Sequence, residues 1–558
     1  GPLALEPVWE DGAAVGVVVG REDAEGWFVP VEDLGPLEEA LGDPTVPKVL
    51  HDAKPLVRAL LEAGIELDGL AFDTALAGYV INPAERAPDL SDLAGAVLGL
   101  EIDGTQDTEA AGAQGTLEFE QRGPDLEAAA RRAVAVARLV GPLTEQLEAR
   151  GGLTLFEKVE LPLVRVLAKM EEAGIGADRE YLEELRESLR DRLATLEVSI
   201  YEAAGEPFNI NSTLQLREVL FERLSLPVLK KTPKGAPSTD ASVLQKLADE
   251  HPVVDHLLRY RELEKLRSTY VDGLLPLIAD DGRIHCVFNQ TGAATGRISS
   301  ERPNMQNIPI RSEEGRTIRR AFVADPGHTF VVADYSQIEL RILAHLSGDP
   351  GLLEAFGGGA DIHTATAARV FGVSEAEVDA DLRRRAKTIN FGLLYGMESY
   401  GLAQRLEIAT EEAKEHMDAY FAQFPKVQAF MEGIVAGARD TGYTTTILGR
   451  RRYLPELSSS NFRIRQAGER MALNAPIQGS AADIMKQAMI ELDVALESAQ
   501  MGTTMLLQVH DELVLEAPDD ELAAAVALAR RVMEGVTELE VPLVADVATG
   551  RTLGDAKA

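Results

Sequence analysis

Between residues 178 and 205 the chain reads DREYLEELRESLRDRLATLEVSIYEAAG, and Leu182, Leu185, Leu189, Leu193, Leu196 and Ile200 recur every three or four positions. That period predicts one long helix, with Asp178 placed to cap its start and Gly205 to end it. Helical patterns also dominate 337–440. Shorter apolar runs predict strands at 13–19, at the start of LAFDTALAGYVI (70–81, a strand end followed by a helix) and at Phe330 to Ala333. In MLLQVHDELVLEA (505–517) two apolar runs flank His510, Asp511 and Glu512, which predicts two strands with a tight connection at the charged triplet. Residues 1–150 form a small α/β unit, a buried strand followed by helical patterns, closed by the turn Arg150-Gly151-Gly152. LKKTPKGAPSTD (229–240) suits an exposed loop tip, mixed strand and turn signals follow to about 335, and the last hundred residues mix helix and strand.

A length of 558 residues leads us to expect about three or four domains. The lone Cys286 excludes an internal disulfide and a Cys-rich zinc site, and fits a cytoplasmic protein. The longest apolar run, GAAVGVVVG at 12–20, is too short to cross a bilayer, and no secretion leader is expected before it. The net charge of −36 argues against a nucleic-acid partner until its distribution is considered. Residues 1–150 carry 10 basic and 29 acidic residues, and the other 408 carry 45 and 62. In that larger part the cations cluster: Arg316, Arg319 and Arg320; Arg383 to Arg385; Arg450 to Arg452; Arg463, Arg465 and Arg470. Each cluster alone fits a solvated helix face as well as a polyanion site; several together, beside unusual carboxylates, favour the polyanion.

Three constellations carry the chemistry. A predicted strand delivers Asp334 to its carboxyl end, and from Gln337 the spacing of Ile338, Ile342 and Leu346 turns helical. Asp334 alone could be a cap; with Asp511 it becomes one half of an oxygen-ligand site suited to hard Mg²⁺. In DLRRRAKTINFGLLYGM (381–397), Arg383, Lys387, Phe391 and Tyr395 fall four apart on one helix face. The stripe is either an amphipathic face with buried rings, or cations for a triphosphate and rings for a sugar or base. In RMALNAPIQGSAADIMKQA (470–488), Arg470, Asn474, Gln478 and Lys486 supply long polar donors. Asn474 and Gln478 either serve the helix terminus or read minor-groove acceptors.

DYSQIELR (334–341), RRRAKTINFGLLYG (383–396) and VHDE (509–512), in this order, resemble the three catalytic motifs of the family A DNA polymerases. FNINS (208–212), YRELEKLRSTY (260–270), TGRISSERPNMQNIPIR (295–311), DIHTATA (361–367) and GRRRYLPEL (449–457) extend the likeness over nearly the whole chain. The likeness is to the Klenow-like large fragment of the bacterial members, without the 5′ nuclease domain. It implies a multi-domain α/β fold: an RNase H-like 3′–5′ exonuclease domain at 1–152, then a right-hand polymerase. The thumb and the segment leading to the palm would span 153–283, the palm 284–345 and 461–558, and the fingers 346–460. By resemblance Asp334 and Asp511 hold two Mg²⁺ ions, with Mn²⁺ as substitute, and Glu512 assists. His363, Arg383 and Lys387 contact the nucleotide phosphates, Phe391 the sugar and Tyr395 the templating base; Glu339 blocks a ribose 2′-hydroxyl. Arg297, Asn307, Arg311, Arg470, Asn474, Gln478 and His510 contact DNA. The implied activity is dNTP addition to a primer by a cytoplasmic monomer in replication and repair, with primer–template DNA as partner and no membrane.

The likeness departs from the family in its first 150 residues, where proofreading carboxylates belong. The family's Asp-x-Glu on the first strand is matched to AAVGVVVG, a later acid to Leu56, and the closing Tyr and Asp to about Ala128 and Arg132. Apolar or cationic side chains do not hold metals, so this unit is expected to be an inactive scaffold. The ending TGRTLGDAKA (549–558) also lacks the family's Gly-x-x-Trp-like segment, a departure expected to bear on local packing near Leu553 and not on catalysis. A single-subunit RNA polymerase, a non-catalytic DNA-binding scaffold and a nuclease are the competing classes. Glu339 speaks against the first, and Asp334, Lys387 and Asp511 against the second.

Overall fold

The computed structural model describes residues 2–22, 26–30, 34–86, 88–102, 125–308 and 313–556. The chain divides into two compact bodies, one of Gly1–Ala173, Phe288–Ser299 and Val331–Ala548, the other of Gly174–Val287, Ser300–Phe330 and Thr549–Ala558.

The first body contains a five-stranded sheet in the order Gly26–Pro30, Ala13–Gly20, Leu3–Glu10, Lys48–Leu50, Leu70–Asp73. Ala13–Gly20 pairs antiparallel with both of its neighbours, and the last two strands run parallel to Leu3–Glu10. The helix Leu126–Ala149 packs on the sheet through Ala133, Val136, Leu139 and Leu143. It comes so close that a Cβ added to Gly20 would lie 2.6 Å from the Cβ of Ala133. The strand-then-helix expected at 70–81 is present as Leu70–Asp73 and Thr74–Ile81. Asp73 caps that helix, accepting from Ala75 N at 2.9 Å and Leu76 N at 3.1 Å.

One expectation is corrected here. AAVGVVVG is the second strand of the sheet; the first is LALEPVWE, Leu3–Glu10. Glu6 and Pro7 break its apolar pattern, which hid it, and Lys48–Leu50 has only three residues to carry any period. Glu6 is nonetheless buried, because Arg132 from the long helix pairs with it.

Further along the chain lies a four-stranded sheet in the order Thr504–Val509, Glu512–Pro518, His328–Tyr335, Ala545–Gly550. Val509 pairs with Glu512, so the hairpin connection is His510 and Asp511 alone. Glu512 belongs to the strand and is buried, which divides the charged triplet between loop and sheet. Helices Ile338–Ser347, Pro350–Gly357, Ile362–Phe371, Ala380–Leu394, Ser399–Leu406, Thr410–Gln423 and Pro425–Thr441 fill the region expected to be helical. A 37-residue helix, Phe462–Ser498, follows.

In the second body the long helix runs Arg179–Ala204; Asp178 accepts from Tyr181 N at 2.9 Å, and Gly205 ends it at φ 84°. It packs against Pro252–Lys265. The 229–240 loop is tied at its base by Thr232 N to Ala236 O (2.7 Å) and Ser238 N to Lys230 O (2.8 Å). Leu553 is buried, with its N–H bonded to Phe322 O at 3.0 Å.

Candidate active site

Asp334 stands at the end of His328–Tyr335 and Asp511 in the hairpin connection, 177 residues later in the sequence. Tyr335 N donates to Asp511 O at 2.9 Å, which sets the two aspartates beside each other across neighbouring strands. The Tyr335 hydroxyl anchors the strand end by donating to Met533 O at 2.7 Å, and Ser336 N bonds Val544 O at 2.9 Å. Both aspartates are half-buried. Non-glycine residues in the left-handed region flank them: His510 at φ 56° and Gln337 at φ 56°. Such residues cost about 1–2 kcal/mol each and tend to persist where the fold holds a site in shape. Gln508 Nε2 donates to His510 O and helps to hold the connection. His510 itself is exposed.

Among the described residues no group of three or more His, Cys, Asp or Glu is arranged as a metal cage. The neighbouring oxygen donors Asp334 and Asp511 fit a hard divalent cation that completes its shell with water or ligand oxygens, as Mg²⁺ does.

Glu339, on Ile338–Ser347, is buried and committed at both oxygens. Oε1 accepts from Arg297 Nη2 at 2.6 Å, and Oε2 accepts from the Tyr395 hydroxyl. Burial, reinforced by the Glu339 carboxylate, raises the Tyr395 pKa, so the hydroxyl stays a donor; Gln478 is a further hydrogen-bonding neighbour. A Cβ added to Gly396 would lie 3.5 Å from Arg470 Cγ, which brings Arg470 to the same corner. Residues from four separate segments thus converge, a grouping that no spacing in the chain announces.

Arg383, Lys387 and Phe391 share one face of Ala380–Leu394, and Tyr395 sits at its end. Phe391 lies 6.4 Å from Tyr395 and 5.9 Å from His363, between ring centroids. His363 is buried, and Asn390 Nδ2 is 3.0 Å from its Nδ1. Burial pushes the His363 pKa down to about 4, and Lys387 and Arg383 add to the shift against the opposing pull of Asp361. Its neutral ring accepts from Asn390 at Nδ1 and carries its proton on Nε2. Arg383 pairs with Asp361, which the sequence reading did not single out.

Asn474 is half-buried, and its Oδ1 has no hydrogen-bond partner among the described residues. Asn307 belongs to the second body, exposed, with its carbonyl accepting from the Tyr270 hydroxyl at 2.6 Å. Arg311 lies outside the described residues. Two other cations leave the candidate set. Arg450 and Lys486 are fully buried with Glu160 and Asp483: Lys486 Nζ is 2.8 Å from Glu160 Oε1, and Arg450 Nη2 is 2.6 Å from Asp483 Oδ1. Arg450 also pairs with Glu160, to which Gln290 donates as well. These cations answer internal carboxylates, so a solvent-facing polyanion role is ruled out for them.

At the N-terminal sheet, Glu6 pairs with Arg132, and burial raises the Glu6 pKa against the pull of that guanidinium. Val8 stands two residues on and is buried, as is Leu56.

The family model described as DNA polymerase family A matches residues 179–555. The chain belongs to that family. A model described as DNA polymerase I, ribonuclease H-like domain matches 9–103, so the mixed α/β chain carries an RNase H-like domain followed by a family A polymerase domain. DNA polymerase I of Geobacillus stearothermophilus is 48% identical over 520 residues, 93% of this chain and 59% of that protein. DNA polymerase I of Mycobacterium bovis is 47% identical over 550 residues, 97% of this chain and 60% of that protein. The chain therefore spans about 60% of the length of these relatives. A solved structure described as the POL domain of Pol1 from M. smegmatis in complex with DNA primer-template and dNTP matches with a TM-score of 0.92 and 43% identity, covering all of this chain and 96% of that one. Among the described residues no helix is long and apolar enough to cross a membrane.

Proposed function

We propose that the chain catalyses template-directed DNA synthesis, adding dNTPs to a primer 3′-hydroxyl with release of pyrophosphate. The observation that carries this reading is the hydrogen bond from Tyr335 N to Asp511 O, which makes neighbours of two motif aspartates. Asp334 and Asp511 would hold two Mg²⁺ ions, or Mn²⁺ in their place, with Glu512 close by. When bound, such a pair supplies charge stabilisation to the attacking and leaving oxygens. Arg383, Lys387 and the neutral His363 orient the triphosphate, and charge-assisted hydrogen bonds of that kind provide positioning. Phe391 packs on the sugar and Tyr395 beside the template base. Glu339 takes up the space a ribose 2′-hydroxyl would need. Arg297, Asn307, Arg311, Arg470, Asn474, Gln478 and His510 are assigned to DNA. The thumb, palm and fingers boundaries, a monomeric cytoplasmic enzyme and a role in replication and repair belong to the same reading, as does an N-terminal domain without proofreading activity.

Primer extension with four dNTPs and Mg²⁺ tests the core of it. Asp334→Ala is expected to lower the rate by several orders of magnitude with DNA binding largely retained. Equal extension by both proteins would refute the carboxylate pair.

A further inference from the structure

On the reading just given, Arg383 and Lys387 face the nucleotide phosphates, yet the two are held differently. Lys387 is exposed and has no hydrogen bond or ion pair among the described residues. Arg383 is gripped: Nε donates to Asp361 Oδ1 at 3.1 Å, and Nη2 donates to Oδ2 at 2.7 Å. Asp361 stands directly before Ile362–Phe371 and caps it, accepting from Thr364 N at 2.8 Å and Thr364 Oγ1 at 3.0 Å. One carboxylate thus fixes the start of one helix and the side-chain plane of an arginine on another. The two helices are tied again deeper in, where Asn390 Nδ2 meets His363 Nδ1 at 3.0 Å and Thr366 Oγ1 at 3.2 Å. Removing the Asp361 charge therefore frees the guanidinium without parting the helices.

We infer that Asp361 is a positioning residue for nucleotide binding: by taking the Nε edge of Arg383, it aims the remaining N–H groups at the triphosphate. This rests on the polymerase reading and adds to it a residue that does not touch the ligand. A guanidinium has five N–H groups in a rigid fork, and the carboxylate uses two, leaving the outer donors to an anion. An arginine already held in one rotamer has less freedom to lose when the ligand arrives. The negative charge also competes with phosphate for the cation, which acts in the opposite sense. Positioning prevails because the carboxylate takes one edge of the fork and leaves the other open.

Asp361→Asn is the informative variant. Asparagine caps a helix as well as aspartate does, and its volume is the same, so the unfolding midpoint should not move. It cannot accept both arginine donors. KM for dNTP is expected to rise on the order of tenfold, the loss of a charge-assisted hydrogen bond. kcat is expected to stay within about twofold, since a ground-state alignment is lost. In an Arg383→Ala background the same change should add nothing, and Asp361→Glu should recover part of the KM. If Arg383→Ala raises KM while Asp361→Asn leaves it unchanged or lowers it, the positioning role fails and the polymerase reading stands. If Arg383→Ala leaves KM unchanged, the phosphate role of Arg383 falls and this inference falls with it.

Discussion

A carboxylate that accepts from a guanidinium on one oxygen and a phenol on the other has little freedom left. Glu339 is in that position between Arg297 and Tyr395, which makes its placement a property of three side chains. Its proposed task, crowding a 2′-hydroxyl, needs the carboxylate itself; the placement of the Tyr395 ring needs only the bond to it. Glu339→Ala is therefore expected to raise ribonucleotide incorporation, whereas Tyr395→Phe should leave sugar discrimination intact. Tyr395→Phe should instead lower kcat/KM for the matched dNTP, by up to the 1.5–3 kcal/mol typical of a hydrogen bond to a charged group, about ten- to a hundredfold. Single-turnover kinetics with dNTP and rNTP would separate the two, and a Tyr395→Phe protein that loses discrimination as fully as Glu339→Ala would refute this division. The identities of these residues are legible in their motifs. Their mutual bonds are not, since positions 297, 339 and 395 meet only through the fold. Asp361 escaped notice for a related reason: in DIHTATA it reads as an ordinary helix cap, which it also is.

At the scale of elements, the helix Phe462–Ser498 carries Arg470, Asn474 and Gln478, and its middle is fastened by buried charge. Glu160, Asp483, Arg450 and Lys486 form a neutral quartet in which burial alone would push the Glu160 carboxyl up, but Lys486 and Arg450 outweigh it and hold the pKa down at about 2. Forming such a cluster repays its desolvation only if every member is present. Removing one strands the others, at roughly 3–5 kcal/mol. Glu160→Gln is accordingly expected to lower unfolding stability by an amount of that order, measured by chemical denaturation, and to loosen primer–template binding. A stability change below about 1 kcal/mol would place the quartet among near-neutral ion pairs. From sequence, Lys486 reads as a donor on a polar helix face and Arg450 as part of a basic cluster; only their burial beside distant carboxylates changes that. Regular elements were more legible. The long helix from Arg179 and the strand-to-helix joint at Asp73 follow from period and caps, while Leu3–Glu10 was hidden because a buried ion pair put Glu6 where an apolar residue was expected.

Across the whole molecule, acidity and chemistry are distributed unequally: residues 1–150 hold 29 acidic and 10 basic residues, and the candidate catalytic groups lie beyond residue 296. In the N-terminal sheet, the buried carboxylate of the first strand, Glu6, is engaged by the Arg132 guanidinium, with Val8 two residues along and Leu56 packed in the core. A guanidinium next to that buried acid repels a divalent cation and uses the oxygens that would ligate it. The acidic surface further disfavours the approach of a single strand. With Mg²⁺ and no nucleotides, a 3′-labelled single strand is thus expected to remain intact. Arg132→Ala should not awaken cleavage, because the apolar Val8 and Leu56 still stand where further acids would be needed. Instead it should weaken this region by about 3–5 kcal/mol through the unpaired Glu6, and hydrogen exchange over Leu3–Glu10 and Leu126–Ala149 would register that loss. Steady release of label by a stringently purified preparation, unaffected by Asp334→Ala and absent from Glu6→Gln, would show instead that Glu6 still serves a nuclease centre.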